Sequence, residues 1–253
     1  MSQDKLKVPE IVHSKWDEMV ARYNSVVAKV NQISFNHYQL TAGFKTRSGI
    51  VVNLNDFDIK MRSVLYKLRW ATKSLEYLID FYERRTKSFD DTWRSIAEPI
   101  PDTFVFNADV FFSFAYSALD IAAGIIGMLV ETGIKKGNVY FTNIMHLLAD
   151  AKSQYAGPLL NELKTESDSG WIHEFRQYRI FFTHYAAIQP IGQLKYTANN
   201  KTTGINLYML PDDPRSKPFT YERKREFAPY CQEVLVKELN VMAVLFEFVE
   251  KLI

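Results

Sequence analysis

The sequence has little of the residues that organise disulfide-linked or turn-rich proteins. Its 253 residues include one cysteine, Cys231, which excludes a disulfide scaffold and a multi-cysteine zinc site. Only 10 glycines and 9 prolines are present, which argues against a turn-rich all-β fold. The formal net charge of +2 excludes strong bulk attraction to nucleic acid or to an anionic membrane. Because a lone cysteine suits a reducing compartment, we expect a cytoplasmic protein.

Familiar catalytic motifs are absent as well. The sequence contains no glycine-rich nucleotide loop, no HExxH, no GxSxG and no EF-hand loop. None of the five histidines stands four residues from another, so a helical metal pair is not expected. We therefore predict no metal and no cofactor.

Apolar and aromatic residues are abundant and mostly spaced for helices. They make up 47% (hydrophobic) and 14% (aromatic) of the chain, which excludes a disordered protein. Their recurrence at three- and four-residue intervals predicts a mainly α fold, a helical bundle around an apolar central helix. The other predicted helices are 10–35, 57–87 with Asp56 as its cap, 138–149, 171–187, and a last one from Thr220 or Tyr221 to Leu252.

The predicted central helix, Val110–Val130, has 21 residues and a single charge, Asp120. That length would cross a bilayer. However, a carboxylate at mid-membrane costs about 2.5–3.5 kcal/mol, and no basic cluster or tryptophan flanks either end. We therefore predict a bundle helix and no membrane span. A buried Asp120 then requires a partner.

Two short stretches predict β-hairpins, at 44–54 and 193–210, because β-branched or alternating residues flank turn-forming ones. No change in composition divides the chain, so we predict a single domain, 1–253. Its core would be about 56–187 together with 220–252, and the hairpins would be appendages.

The predicted helix 57–87 carries eight basic residues. Two interpretations of this charge stay open: a solvated outer face, or a surface that contacts RNA phosphates.

The helix predicted at 171–187 combines an aromatic stripe with polar residues. Its aromatic residues follow one another at intervals of four and three, which predicts a core-facing side. Arg179 and His184 interrupt this apolar helix, and His173 and His184 lie close to one stripe. Buried or half-buried polar groups need hydrogen-bond partners, so polar groups are expected to converge here.

Arg179 and His184 are separated by four residues, which gives the pattern R-x4-H. In this helical setting, after a long apolar helix and before another helix, it resembles the signature of the HEPN superfamily. These are compact helical-bundle domains found in many bacterial RNases, toxins and defence proteins. The resemblance covers about 56–187 and the last helix. The residue after the family's arginine is usually polar, whereas here it is Ile180.

The resemblance implies a mechanism without metal. His184 would be the general acid/base for the RNA 2′-OH and the leaving 5′-oxygen, and Arg179 would hold the scissile phosphate. Residues five apart on a helix lie about 140–150° apart, so a homodimer with a shared cleft is expected to bring the groups together. From its burial we expect Asp120 to orient one of the pair, and His173 and Arg176 are further candidates for RNA contact.

Three functions remain open at this point. The first is a metal-independent endoribonuclease of the toxin or defence type. The second, favoured by Ile180, is a catalytically inactive HEPN-like module that binds RNA, a nucleotide or a protein. The third is a structural helical adaptor whose aromatic surfaces mediate assembly. For the pair itself a structural interpretation also stays open, in which Arg179 pairs with a core carboxylate such as Asp120 and His184 bonds a backbone carbonyl.

Overall fold

The computed structural model describes residues 9–36, 43–47, 49–87, 102–130, 139–150, 154, 156–167, 170–185, 191–196, 202–223 and 225–253. These residues form seven helices and two antiparallel hairpins, so the predicted mainly α helical bundle is confirmed. The helices are α1 (Glu10–Asn36), α2 (Leu54–Lys87), α3 (Asp102–Leu129), α4 (Phe141–Asp150), α5 (Ala156–Ser167), α6 (Trp171–Tyr185) and α7 (Phe227–Leu252). The hairpins pair β1 (Gly43–Lys45) with β2 (Val51–Asn53), and β3 (Ile191–Tyr196) with β4 (Thr202–Met209).

The chain forms two compact units that alternate along the sequence. The first unit comprises mainly Trp70–Phe114 and Ile172–Leu235. The second comprises Ile11–Arg69, Ala115–Trp171 and Val236–Ile253. Helices α2, α3 and α7 each contribute long stretches to both units, and α1 and α6 each belong to one unit except for their first residue. The single domain expected from the sequence stays a prediction.

The apolar helix α3 is longer than the sequence predicts, because it begins at Asp102 rather than at Val110. From Asn107 to Leu129 none of its side chains is exposed. By length and composition α3 is long and apolar enough to cross a membrane, and 56% of its most apolar window, with a mean hydropathy of 1.7, is buried.

The core of the first unit is built around Phe112 of α3. Its ring stacks on that of Phe182 with centroids 4.6 Å apart, and it also contacts Phe175 at 5.5 Å and Tyr178 at 6.0 Å. Phe227, at the start of α7, closes the cluster at 5.9 Å. The core-facing side predicted for α6 is therefore confirmed for the described side chains.

In the second unit, α1 packs against the last turns of α7. The rings of Tyr23 and Phe246 meet edge to face with centroids 5.8 Å apart. Polar contacts flank them: the Ser25 hydroxyl donates to Glu250 at 2.8 Å, and the Arg22 guanidinium lies 3.4 Å from Glu247. This pairing joins two helices from opposite parts of the sequence.

Besides the start of α3, three predicted helix starts are wrong. Helix α4 begins at Phe141 rather than at 138. Helix α2 begins at Leu54, and its cap is Asn53, whose Oδ1 accepts the backbone N–H of Asp56 at 3.0 Å. The last helix begins at Phe227 instead of Thr220 or Tyr221, because the backbone N–H groups of Glu222 and Arg223 bind a side chain outside the helix. The predicted end of α6 at Ala187 lies outside the described residues.

Candidate functional site

The exposed side of α6 carries a stripe of residues at helical spacing. His173, Gln177 and Ile180 follow one another at intervals of four and three, and His173 is exposed. The Nε2 atoms of His173 and Gln177 are 3.5 Å apart. Position 184 falls on the same side of the helix by spacing alone, although the His184 side chain lies outside the described residues. We call positions 173, 177, 180 and 184 the α6 stripe.

The two arginines of α6 differ in environment. Arg179 is half-buried between the core side and the α6 stripe, and its Nε atom is enclosed by protein. Arg176 is exposed to solvent. Since positions 179 and 184 are five residues apart, α6 alone does not place both on one face. The catalytic pairing of Arg179 with His184 stays a prediction.

A cleft of about 430 Å³ adjoins the α6 stripe. One wall is aromatic, because the rings of Phe181 and Phe219 meet edge to face with centroids 5.5 Å apart. We call this space the α6 cleft. It is lined by Gln177, Ile180 and Phe181 of α6 and by Pro214, Arg215, Lys217 and Phe219 of the segment before α7.

The α6 cleft has a cationic rim. The Arg215 guanidinium forms a two-pronged contact with Asp213, with both nitrogen–oxygen distances at 3.0 Å. This contact, with the backbone N–H of Arg215, lowers the pKa of the Asp213 carboxyl. Lys217 is exposed and forms no ion pair within the described part of the chain. An anion entering the cleft would therefore meet an ammonium group free to bind it.

The segment 210–226, which we call the cleft loop, is shaped by its own hydrogen bonds. Asp212 accepts the backbone N–H groups of Glu222 at 2.8 Å and Arg223 at 3.0 Å. Desolvation opposes ionisation of Asp212, but these bonds outweigh it and lower the pKa of the carboxyl. The backbone N–H of Leu210 donates to the carbonyl of Arg225 at 2.8 Å, which closes the loop.

A polar cluster on α6 anchors the cleft loop. The Tyr178 hydroxyl donates to the carbonyl of Pro211 at 2.6 Å and accepts a bond from Arg225 at 3.0 Å. The Glu174 carboxylate accepts hydrogen bonds from the guanidinium groups of Arg225 and, at 3.2 Å, Arg223. Burial raises the pKa of Tyr178 to about 12, so the hydroxyl stays protonated and remains a donor. Hydrogen bonds with Glu174 and Tyr178 of α6 thus hold the loop that forms one side of the cleft.

This cluster was not predicted from the sequence. Its only local signal is that Glu174 and Tyr178 are four residues apart on one helix. Arg225 follows far along the chain, after both strands of the second hairpin, and no periodicity connects it with α6.

Asp120 lies in the second unit, whereas Arg179 belongs to the first. Its Oδ1 atom accepts the backbone N–H of Phe141, the first residue of α4, at 3.0 Å. A carboxylate at this position accepts a hydrogen bond from a backbone N–H that has no partner within the helix, and the positive end of the helix dipole stabilises its charge. The structure therefore gives Asp120 a partner in α4, and its expected orienting of Arg179 or His184 stays a prediction.

Other chemical candidates are few in the described residues. Cys231 is fully buried, and desolvation raises the pKa of its thiol well above its usual range. No group of three or more histidine, cysteine or acidic side chains is placed to hold a metal ion in the described ranges.

Comparison with known proteins supplies no relative: no protein-family profile, no curated protein and no solved structure matches this chain. A function must therefore be inferred from α6 and the cleft beside it.

Proposed function

We propose that this protein is a HEPN-like RNA-binding module in which the α6 cleft holds a nucleotide of a single-stranded RNA. The observation that carries the proposal is the pairing of aromatic and cationic groups in one cleft. The half-buried Phe219 ring, which packs on the buried Phe181, offers apolar surface to a base. Arg215 and Lys217 offer charge to a phosphate.

The size of the α6 cleft suits this ligand. Ligand pockets occupy about 300–1,000 Å³, and the α6 cleft occupies about 430 Å³. Arg176 and His173 are exposed on the same helix, so they extend the polar surface beyond the cleft. A strand that leaves the cleft along α6 would meet both side chains.

A metal-independent endoribonuclease is the second candidate function, and one observation favours it. Helix α6 is continuous from Trp171 to Tyr185, so one rigid element carries both Arg179 and His184. This helix follows the apolar α3 and precedes α7, which is the order that the HEPN resemblance requires. An imidazole titrates near neutral pH and suits proton transfer, while a guanidinium suits a phosphate.

Binding is tested by fluorescence anisotropy with an end-labelled single-stranded RNA. We expect Lys217→Gln and the double variant Arg215→Gln/Lys217→Gln to weaken binding and to flatten its salt dependence by about 0.7 per lost phosphate contact. Lys164→Gln, an exposed lysine of α5, is the matched control. Wild-type affinity in both cleft variants would refute the α6 cleft as the binding site.

Catalysis is tested by RNA cleavage in EDTA. With His184→Ala we expect a loss of about 10²–10⁴-fold in rate, the usual contribution of a general acid/base, with RNA affinity retained. Arg179→Gln should also slow cleavage. A wild-type protein that binds RNA and leaves it uncut would identify the inactive binding module.

A further inference from the structure

The exposed side of α2 presents a row of aromatic and basic side chains. Because α2 is one unbroken helix, its own spacing places them within a narrow arc. The row spans about 21 Å at 1.5 Å per residue. We call it the α2 stripe, and it consists of Ile59, Arg62, Tyr66, Arg69, Trp70 and Lys73.

The large apolar groups of the α2 stripe are open to solvent. Tyr66 is 56% exposed, Trp70 is 41% exposed and Ile59 is 53% exposed. On the opposite side of the same helix, Leu68 and Leu75 are completely buried. Tryptophan is on average a highly buried residue, so Trp70 and Tyr66, one turn apart, form an unusual pair of exposed rings.

The charges of the α2 stripe are all positive. Arg62 contacts Asp58, one turn earlier, at 2.9 Å. Arg69 and Lys73 form no ion pair within the part of the chain that the structure describes. The Lys73 ammonium lies 4.9 Å from the centroid of the Trp70 ring. Aromatic faces and cations therefore occur together along the row.

We propose that the α2 stripe is a stacking platform for single-stranded RNA. Tyr66 and Trp70 stack on successive bases, while Arg62, Arg69 and Lys73 contact phosphates. The proposal rests on the proposed RNA-binding function and adds a second surface to it, separate from the α6 cleft.

The alternation of charge with aromatic rings favours RNA over a protein partner. Protein interfaces are depleted of charged residues at their centre, whereas here Arg69 directly precedes Trp70 and Lys73 follows it by about one turn. A phosphate backbone is the partner whose charge complements these cations. Stacking on a side chain also requires an accessible base face, which a duplex does not offer, so the strand must be single.

The test compares ring and charge variants by anisotropy with a uridine-rich single-stranded RNA and with a duplex of the same length. Removing one ring, in Tyr66→Ala or Trp70→Ala, should weaken single-strand affinity by about 5- to 150-fold. Duplex affinity should stay unchanged. Arg69→Gln/Lys73→Gln should weaken both ligands and flatten the salt dependence.

Matched controls separate stacking from loss of fold. Tyr66→Phe and Trp70→Phe keep a ring and should keep most of the affinity. Tyr140→Ala removes a tyrosine that is 51% exposed elsewhere in the chain and should change nothing. Circular dichroism of every variant checks that α2 is intact.

The outcomes distinguish this proposal from the proposed function. Wild-type affinity in Tyr66→Ala and Trp70→Ala, with weaker binding in Lys217→Gln, refutes the α2 stripe alone and leaves it as a candidate protein contact. The reverse pattern refutes the α6 cleft alone. A wild-type protein without affinity for single-stranded RNA refutes both.

Discussion

Glu238 lies in α7 with its carboxyl group enclosed, at 0% exposure. Neither carboxyl oxygen has a hydrogen-bond partner in the described structure. Desolvation raises the pKa of this group well above its ordinary value of 4.5, because a charge in an apolar surrounding lacks stabilisation. The folded protein therefore retains the Glu238 proton to a higher pH than the unfolded chain does.

Glu238 should make stability fall as the pH rises. Near pH 4 and below, the folded and unfolded chains both bind this proton. Above the ordinary pKa, the unfolded chain releases it and the folded chain retains it, so the free energy of unfolding decreases by about 1.4 kcal/mol per pH unit. The decrease ends once the pH exceeds the pKa that Glu238 has in the folded protein.

Urea unfolding of Glu238→Gln at several pH values measures this effect. The variant should lack the decrease, so its stability relative to wild type should increase as the pH rises above the ordinary pKa of 4.5. Glu233→Gln, at an exposed position of α7, should follow the wild type. Parallel pH profiles for Glu238→Gln and wild type would contradict the assignment.

Tyr178 should stabilise the first unit through its hydroxyl. Tyr178→Phe removes the bonds to the Pro211 carbonyl and to Arg225, so we expect a loss of about 1–3 kcal/mol in the free energy of unfolding. Chemical denaturation measures it. Tyr77→Phe is the control, because its hydroxyl bond to Thr103 is exposed and should contribute little.

At the scale of elements, the start of α4 depends on Asp120. Asp120→Ala removes the acceptor of the Phe141 N–H and should cost about 0.5–2 kcal/mol in the free energy of unfolding, whereas Asp120→Asn should cost less. Denaturant unfolding gives both values. If Asp120 instead orients Arg179 or His184, Asp120→Asn will slow RNA cleavage at unchanged stability.

The helices that could be predicted from the sequence are those set by their own periodicity. The expected 10–35 and 57–87 correspond to α1 and α2, with ends that differ by at most three residues. The start of α7 could not be predicted, because Asp212 binds the backbone of Glu222 and Arg223. Whether residues 221–226 form a turn of helix depends on the Asp212 side chain, which binds backbone N–H groups that a helix would otherwise use.

Of the candidate site, too, one part could be predicted from the sequence and one part could not. The core side of α6 follows from the intervals between its aromatic residues, and the structure confirms it. The α6 cleft does not follow, because Phe181 and Phe219 meet only after the chain has passed through a whole hairpin. Periodicity indicates which side of a single helix is buried. It does not indicate which side chain from a distant part of the sequence will line the other side of a cleft.

At the scale of the whole molecule, the homodimer expected from the HEPN resemblance can be tested by complementation. If each catalytic centre takes Arg179 from one protomer and His184 from its partner, mixing Arg179→Gln with His184→Ala gives heterodimers with one intact centre. Cleavage in an equimolar, re-equilibrated mixture should return to about one quarter of the wild-type rate, since half of the dimers carry one of two centres. No recovery would show that both groups act within one protomer.

The alternation of the two units along the chain has a consequence for biosynthesis. The second unit needs α1 and also residues 236–253, and the contacts of Ser25 and Tyr23 with the last turns of α7 belong to it. On the ribosome α1 therefore emerges long before the last turns of α7, so the contacts between these two segments form late. We infer that this unit acquires its native packing only after α7 has been synthesised. Until then the side of α1 that meets α7 stays uncovered on the nascent chain, and apolar surface exposed in this way favours aggregation.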